Sequence, residues 1–134
     1  MMPRSPSKPK NSRPKSEFRL AAERQGRRGE RLAALWLQAQ LYTIVERRFK
    51  TPVGEIDLIA RRFGTTVFVE VKARGRAEGE EEALGKVNRR RLVRAAEAYL
   101  TRHPALAETP LRFDVIFLAP GKLPRHLKNA FEAS

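Results

Sequence analysis

Two runs of strand-forming residues, Glu55 to Arg61 and Thr66 to Ala73, lie on either side of a short turn around Gly64, and that spacing predicts an antiparallel hairpin. Tyr42 to Phe49 supplies Tyr42, Ile44, Val45 and Phe49 ahead of a turn at Thr51-Pro52-Val53-Gly54, so a first strand precedes the hairpin. Leu111 to Ala119 alternates too little for a surface strand and reads as a buried one, reached by a connection that crosses back over the sheet. Helices fill the gaps. Phe18 to Gln40 is rich in helix formers, with Leu32, Leu35, Trp36 and Ala39 at helical spacing. Lys86 to Arg102 sets Val87, Leu92, Val93, Ala96, Tyr99 and Leu100 in an otherwise basic helix that His103-Pro104 stops. Arg74 to Glu82, rich in Gly and charge, is expected to be a mobile loop, and a terminal turn is expected near Asn129 to Phe131. The order is α-β-β-β-α-β: an α/β fold whose mixed sheet starts with antiparallel strands.

Charge narrows the choice of partner. The 134 residues carry 28 Lys+Arg against 15 Asp+Glu, a formal net charge of +13, and a polyanion is the natural counterpart because each neutralised phosphate releases counterions. Much of the excess lies in residues 1–16, where Pro3, Pro6, Pro9 and Pro14 alternate with Arg4, Lys8, Lys10, Arg13 and Lys15. Such a stretch buries too little apolar surface to offset its ordering entropy, so it reads as a disordered basic arm before one domain over 17–134. Its prolines break the amphipathic helix that a mitochondrial-type presequence would need. No run approaches the roughly 20 apolar residues of a membrane span, and cysteine is absent, which removes thiolate metal sites and fits a cytoplasmic location.

The hairpin also carries the chemistry. In Val67-Phe68-Val69-Glu70-Val71-Lys72 the valines share one face and Phe68, Glu70 and Lys72 the other; on the preceding strand Glu55, Asp57 and Ile59 share a face, and Ile56, Leu58 and Ala60 the opposite one. Paired in register, Asp57 and Glu70 point to one spot. Two carboxylates there repel unless a cation sits between them. Mg²⁺ or Mn²⁺, held by Asp57, Glu70 and the backbone carbonyl of Val71, would leave room for a phosphate oxygen and a water. Lys72 would orient or help deprotonate that water, or offset transition-state charge. Against this stands a plainer account, in which an acid-x-Lys strand is only the solvated face of a hairpin.

Gly54-Glu55-Ile56-Asp57-Leu58-Ile59-Ala60 and Val67-Phe68-Val69-Glu70-Val71-Lys72-Ala73-Arg74 resemble the YraN family of bacterial proteins. The similarity extends upstream to Gly26, Gly29-Glu30, Ala33, Ala34 and Leu37, and downstream to Lys86, Ala95, Tyr99-Leu100, Arg112-Phe113-Asp114-Val115 and Asn129-Ala130-Phe131. The resemblance implies a restriction-endonuclease-like core, related to Holliday-junction resolvases within the PD-(D/E)xK superfamily. It implies a metal-dependent nuclease acting on DNA, branched or otherwise structured, with Asp57 and Glu70 as metal-binding acids, Lys72 as the catalytic lysine and Glu30 as an additional acid directed toward the metal. Glu30 also reads as a helix-surface residue beside Arg27, Arg28 and Arg31, and Glu55 either supports the ligands from behind or caps its turn. Resolvase-like relatives act as symmetric dimers, so a homodimer is the implied oligomer.

Among basic residues Arg74, Lys86 and Arg90 are the expected nucleic-acid contacts, the last two placed four apart on one helix. Asp114 is expected to satisfy structure, Trp36 to be core, and His103 and His126 to be surface residues without metal-ligand spacing. Two other functions fit the same charge: a non-catalytic nucleic-acid-binding protein on a nuclease scaffold, and an RNA- or ribosome-associated basic protein.

Overall fold

The computed structural model describes residues 28–73 and 79–132. The basic arm and Arg74 lie outside them. Helix α1 covers residues 28–39 of the described chain, followed by β1 (Thr43–Thr51), β2 (Gly54–Arg62) and β3 (Thr65–Ala73). Two helices come next, α2 (Glu80–Gly85) and α3 (Arg89–Arg102), then a 3₁₀ turn over Pro104–Glu108. Strands β4 (Leu111–Leu118) and β5 (Arg125–Leu127) complete the order. Among the described residues no helix is long and apolar enough to cross a membrane.

The strands form one mixed sheet in the order β1-β2-β3-β4-β5. The first three run as an antiparallel meander, β3 and β4 are parallel, and β5 returns antiparallel to β4. A parallel pair needs a long crossover, and α2 and α3 supply it. With helices on both sides, β3 reads as a continuous apolar run: Val67, Phe68 and Val69 are all fully buried. Ala33, Ala34 and Leu37 of α1 pack on Leu58, Ala60, Val67 and Val69. Leu92, Ala95, Ala96 and Tyr99 of α3 pack on Ile56, Ile59, Phe68 and Phe113 across the other face. The two faces meet different helices, and the central strand is sandwiched between them.

Four details depart from the sequence expectations. The basic helix begins at Arg89, not Lys86, because the Asn88 side chain accepts a hydrogen bond from the Arg91 N–H and caps it there. Lys86 instead closes α2, so it and Arg90 do not share one helix. Glu80 to Glu82, expected in a loop, form the first turn of α2, where three acidic side chains suit the positive end of a helix. His126 is no surface residue: its side chain is 5% exposed and its Nε2 lies 2.6 Å from Asp114 Oδ2.

Ile56 is the fourth. It packs with Ile59 rather than with Leu58 and Ala60, so the simple alternation of β2 breaks at Asp57. The partner strand bends at the same level. Arg48, between the pairs Arg47↔Leu58 and Phe49↔Ile56, has φ 54, a left-handed conformation that costs a non-glycine residue roughly 1–2 kcal/mol.

Candidate functional site

Asp57 stands where the β2–β3 ladder ends. The last paired residues are Leu58↔Val69, and one step further the Asp57 carboxylate itself takes the place of the strand: its Oδ2 accepts the Val71 N–H at 2.7 Å. The hairpin splays and a carboxylate fills the fork. Continuing the register by one residue sets Glu70 opposite Asp57, and the two side chains share a hydrogen bond.

Electrostatics make this an uneasy pair. Burial, then the charge of Asp57, push Glu70 from an ordinary 4.5 up to about 8. Burial also raises Asp57, and the Val71 amide pulls it back only in part. Both acids are thus pushed toward their protonated forms, Glu70 to about 8. Lys72 Nζ lies 4.0 Å from Glu70 Oε1, and its attraction is outweighed by burial and by Asp57.

Glu30 joins from α1. It precedes the buried Ala33 and Ala34 by three and four residues, hence on the same helical face, which seats it over β2. Burial raises its pKa first and the charge of Asp57 second. Arg48 opposes both, with Nε 3.6 Å from Glu30 Oε2. Of the two readings of Glu30, the one directed toward the acids agrees with this placement. Glu55 is exposed, yet its charge raises Glu30, Asp57 and Glu70 together. Arg48 was not singled out in the sequence, since only the bend in β1 turns it toward Glu30.

Among the described residues no three carboxylates or imidazoles cluster in a way that could hold a metal ion. Mg²⁺ needs less, one or two carboxylates with water completing the shell. Asp57 and Glu70 with the Val71 carbonyl supply that much.

Asp114 belongs to a separate construction. It is fully buried and accepts Arg112 Nε at 2.8 Å, Arg112 Nη2 at 2.8 Å and the Asn129 N–H at 2.9 Å, in addition to His126. These bonds hold its carboxyl below the usual range despite burial. Its role is structural, tying β5 and the C-terminal turn to β4. Trp36 is half-buried against the α1 face of the core, but Leu32 and Leu35, read at the same helical spacing, are exposed, and the buried face is formed instead by Ala33, Ala34 and Leu37.

Residues 29–118 match the model of the uncharacterised protein family UPF0102, a stretch that holds both strands of the splayed hairpin. The chain belongs to the UPF0102 family, the YraN family. A UPF0102 protein of Rhodopseudomonas palustris strain CGA009 is 48% identical over 128 residues, covering 96% of this chain and 98% of its own. One of Bradyrhizobium sp. strain ORS 278 is 48% identical over 126 residues, 94% of this chain and 89% of its own. One of Parvibaculum lavamentivorans is 50% identical over 112 residues, 84% of each. UPF0102 membership thus extends over nearly the whole described chain, the acids and Lys72 included.

Proposed function

We propose that this UPF0102 protein is a divalent-metal-dependent nuclease that hydrolyses phosphodiester bonds in DNA with a branched or otherwise structured form. The observation that carries the reading is the pair Asp57 and Glu70, forced together at the fork of the hairpin with Lys72 alongside. A purely structural site would have little reason to keep two half-buried carboxylates in mutual repulsion, since replacing one by an apolar residue would relieve the conflict.

When bound, Mg²⁺ or Mn²⁺ supplies Lewis-acid polarisation of a phosphoryl oxygen and a more acidic water. Asp57 and Glu70, with the Val71 carbonyl, would hold it. Lys72 faces the negative charge that gathers on the phosphoryl oxygens, or orients the attacking water. Glu30, restrained by Arg48, adds negative field behind Asp57. Arg74, Lys86 and Arg90 would provide phosphate contacts. A formal charge of +13 supports a polyanionic substrate.

Calorimetric titration with Mn²⁺, beside cleavage of junction, flap and single-stranded DNA, tests the assignment. Asp57→Asn and Glu70→Gln should each weaken metal binding and abolish cleavage. Lys72→Ala should abolish cleavage while metal still binds. A wild type that cuts nothing, with metal binding indifferent to both acid variants, would replace the nuclease by a nucleic-acid-binding module.

A further inference from the structure

At the far end of the hairpin from the acids, the turn between β2 and β3 holds a residue that neither the backbone nor the core asks for. Arg62 pairs with Thr65, so Phe63 and Gly64 form a two-residue turn, and both have positive φ, 50 and 79. Such a turn favours Asn-Gly or Gly-Gly, because a side chain crowds the left-handed backbone. Phenylalanine is a poor choice there, and its ring gains nothing by burial, since Phe63 is 85% exposed. Leu41, in the turn between α1 and β1, repeats the pattern with φ 71 and 74% exposure. Leu41, Val45, Arg61, Arg62 and Phe63 line one shallow depression of about 370 Å³.

The chemistry of the depression names its occupant. Its described lining residues combine apolar side chains with two arginines and include no acid. Arg62 is fixed in place: its guanidinium lies 4.2 Å from the centroid of the Tyr42 ring, and its Nη1 donates to the Gln40 carbonyl at 3.1 Å. It stands 5.4 Å from the Phe63 centroid, flanking a ring that solvent still reaches over most of its area. An open ring beside fixed positive charge suits a flat aromatic surface bordered by phosphate. We infer that Phe63 stacks on the base pair exposed where a DNA duplex ends, with Leu41 and Val45 beside it and Arg61 and Arg62 meeting the flanking phosphates. A continuous duplex has no free base face, and a single strand is held by aromatic rings on which successive bases stack. The depression offers one ring, at a hairpin tip, which suits the end of a stack.

The capped end is then set at a distance from the acids. Asp57 precedes Phe63 by six residues along the hairpin, roughly 20 Å at 3.3 Å per residue. Duplex DNA rises about 3.4 Å for each pair, so that span matches about six base pairs. On the nuclease reading, on which this step alone rests, a strand would be cut within about six pairs of the capped end.

Binding in EDTA tests the capping without calling on catalysis. Fluorescence anisotropy of the full chain compares two internally labelled duplexes of one sequence, one open at both ends and one closed at both by non-nucleotide linkers. The open duplex should bind about tenfold tighter, within the range for one stacked base. Phe63→Asn should remove the difference and leave the closed duplex bound as before. Asparagine tolerates positive φ and gives the turn its favoured pair, so this variant should melt at or above the wild-type temperature, and its lost preference is not a loss of fold. Phe63→Leu, which keeps an apolar side chain and the strained backbone but removes the ring, should lose the preference too. Equal affinity of the wild type for the two duplexes overturns the inference, as does either variant if it keeps the preference. Light scattering without DNA checks the other occupant of an apolar patch, a second copy of the chain: a wild-type dimer that Phe63→Asn converts to a monomer also overturns it. Asp57→Asn should keep the end preference, so a protein that cleaves nothing can still pass this test and an active nuclease can fail it.

Discussion

Removing one charge from the hairpin fork should stabilise the metal-free protein, and the effect should grow with pH. Burial and Asp57 move Glu70 from 4.5 to about 8, so the unfolded chain gives up this proton long before the folded one. A raised carboxyl favours folding less as pH climbs: stability is greatest below about 4.5 and declines until Glu70 ionises in the folded state too, near 8. At 1.36 kcal/mol for each pH unit of displacement the full penalty is roughly 5 kcal/mol. Glu70→Gln removes the charge and the repulsion but keeps a buried amide, which retains part of the desolvation cost. About half the penalty, ~2–3 kcal/mol, should therefore be recovered at pH 8.5. For a domain of this size that is a rise in Tm of roughly 10 °C. The assay is thermal melting of wild type and Glu70→Gln in EDTA between pH 4 and 9. The curves should converge at the acid end and separate steadily above pH 5. A variant no more stable than wild type at pH 8.5, or a gap that ignores pH, would refute the electrostatic account. Adding Mn²⁺ should close the gap from the wild-type side, since a ligand that binds only the folded state stabilises it.

Other perturbations test the frame around the site. Gly54→Ala should destabilise by about 3 kcal/mol or more in urea, because an added Cβ would lie 1.9 Å from the Arg91 carbonyl oxygen and neither backbone can yield without moving α3. Asp114→Ala should cost about 3–5 kcal/mol by the same measurement, leaving Arg112 and His126 without their common acceptor. Because the Asp114 carboxyl is held below its ordinary 3.8, its contribution is complete above that value and is lost only as pH falls through the lower folded one. Asn88→Ala should cost about 1 kcal/mol, the usual worth of an N-cap, and raise hydrogen exchange in the first turn of α3.

The meander and the buried β4 were legible in the sequence because their signals are local: alternation or continuous apolarity bounded by Pro52, Gly54 and Gly64. The juxtaposition of Asp57, Glu70 and Lys72 was legible for the same reason, since an antiparallel hairpin nearly dictates which residues face each other. What escaped depends on contacts from afar. Strand β5 is three residues, Arg-His-Leu, with no periodicity to read, and it exists because β4 offers an edge and Asp114 a buried acceptor for His126. The short α2 hid between Gly79 and Gly85. The break of alternation at Asp57 could not be foreseen from β2, because its cause is shared with Arg48 on the neighbouring strand. Glu30 had two readings in sequence and only the packing of Ala33 and Ala34 orients it.

The order in which the chain leaves the ribosome gives the splayed hairpin a further consequence. Asp57, Glu70 and Lys72 emerge together on β2 and β3, whose pairing is local, while β4 and α3, which bury Phe68 from above and beside, come later. Until they dock, both carboxylates are hydrated and their repulsion is screened, so the early hairpin forms without electrostatic penalty. The conflict is imposed at the closing step, when the parallel strand arrives, an event already slowed by its long loop. Acid pH and divalent ions should accordingly act on the lifetime of the finished fold more than on its nucleation: they should slow unfolding and barely alter the rate at which the hairpin first forms.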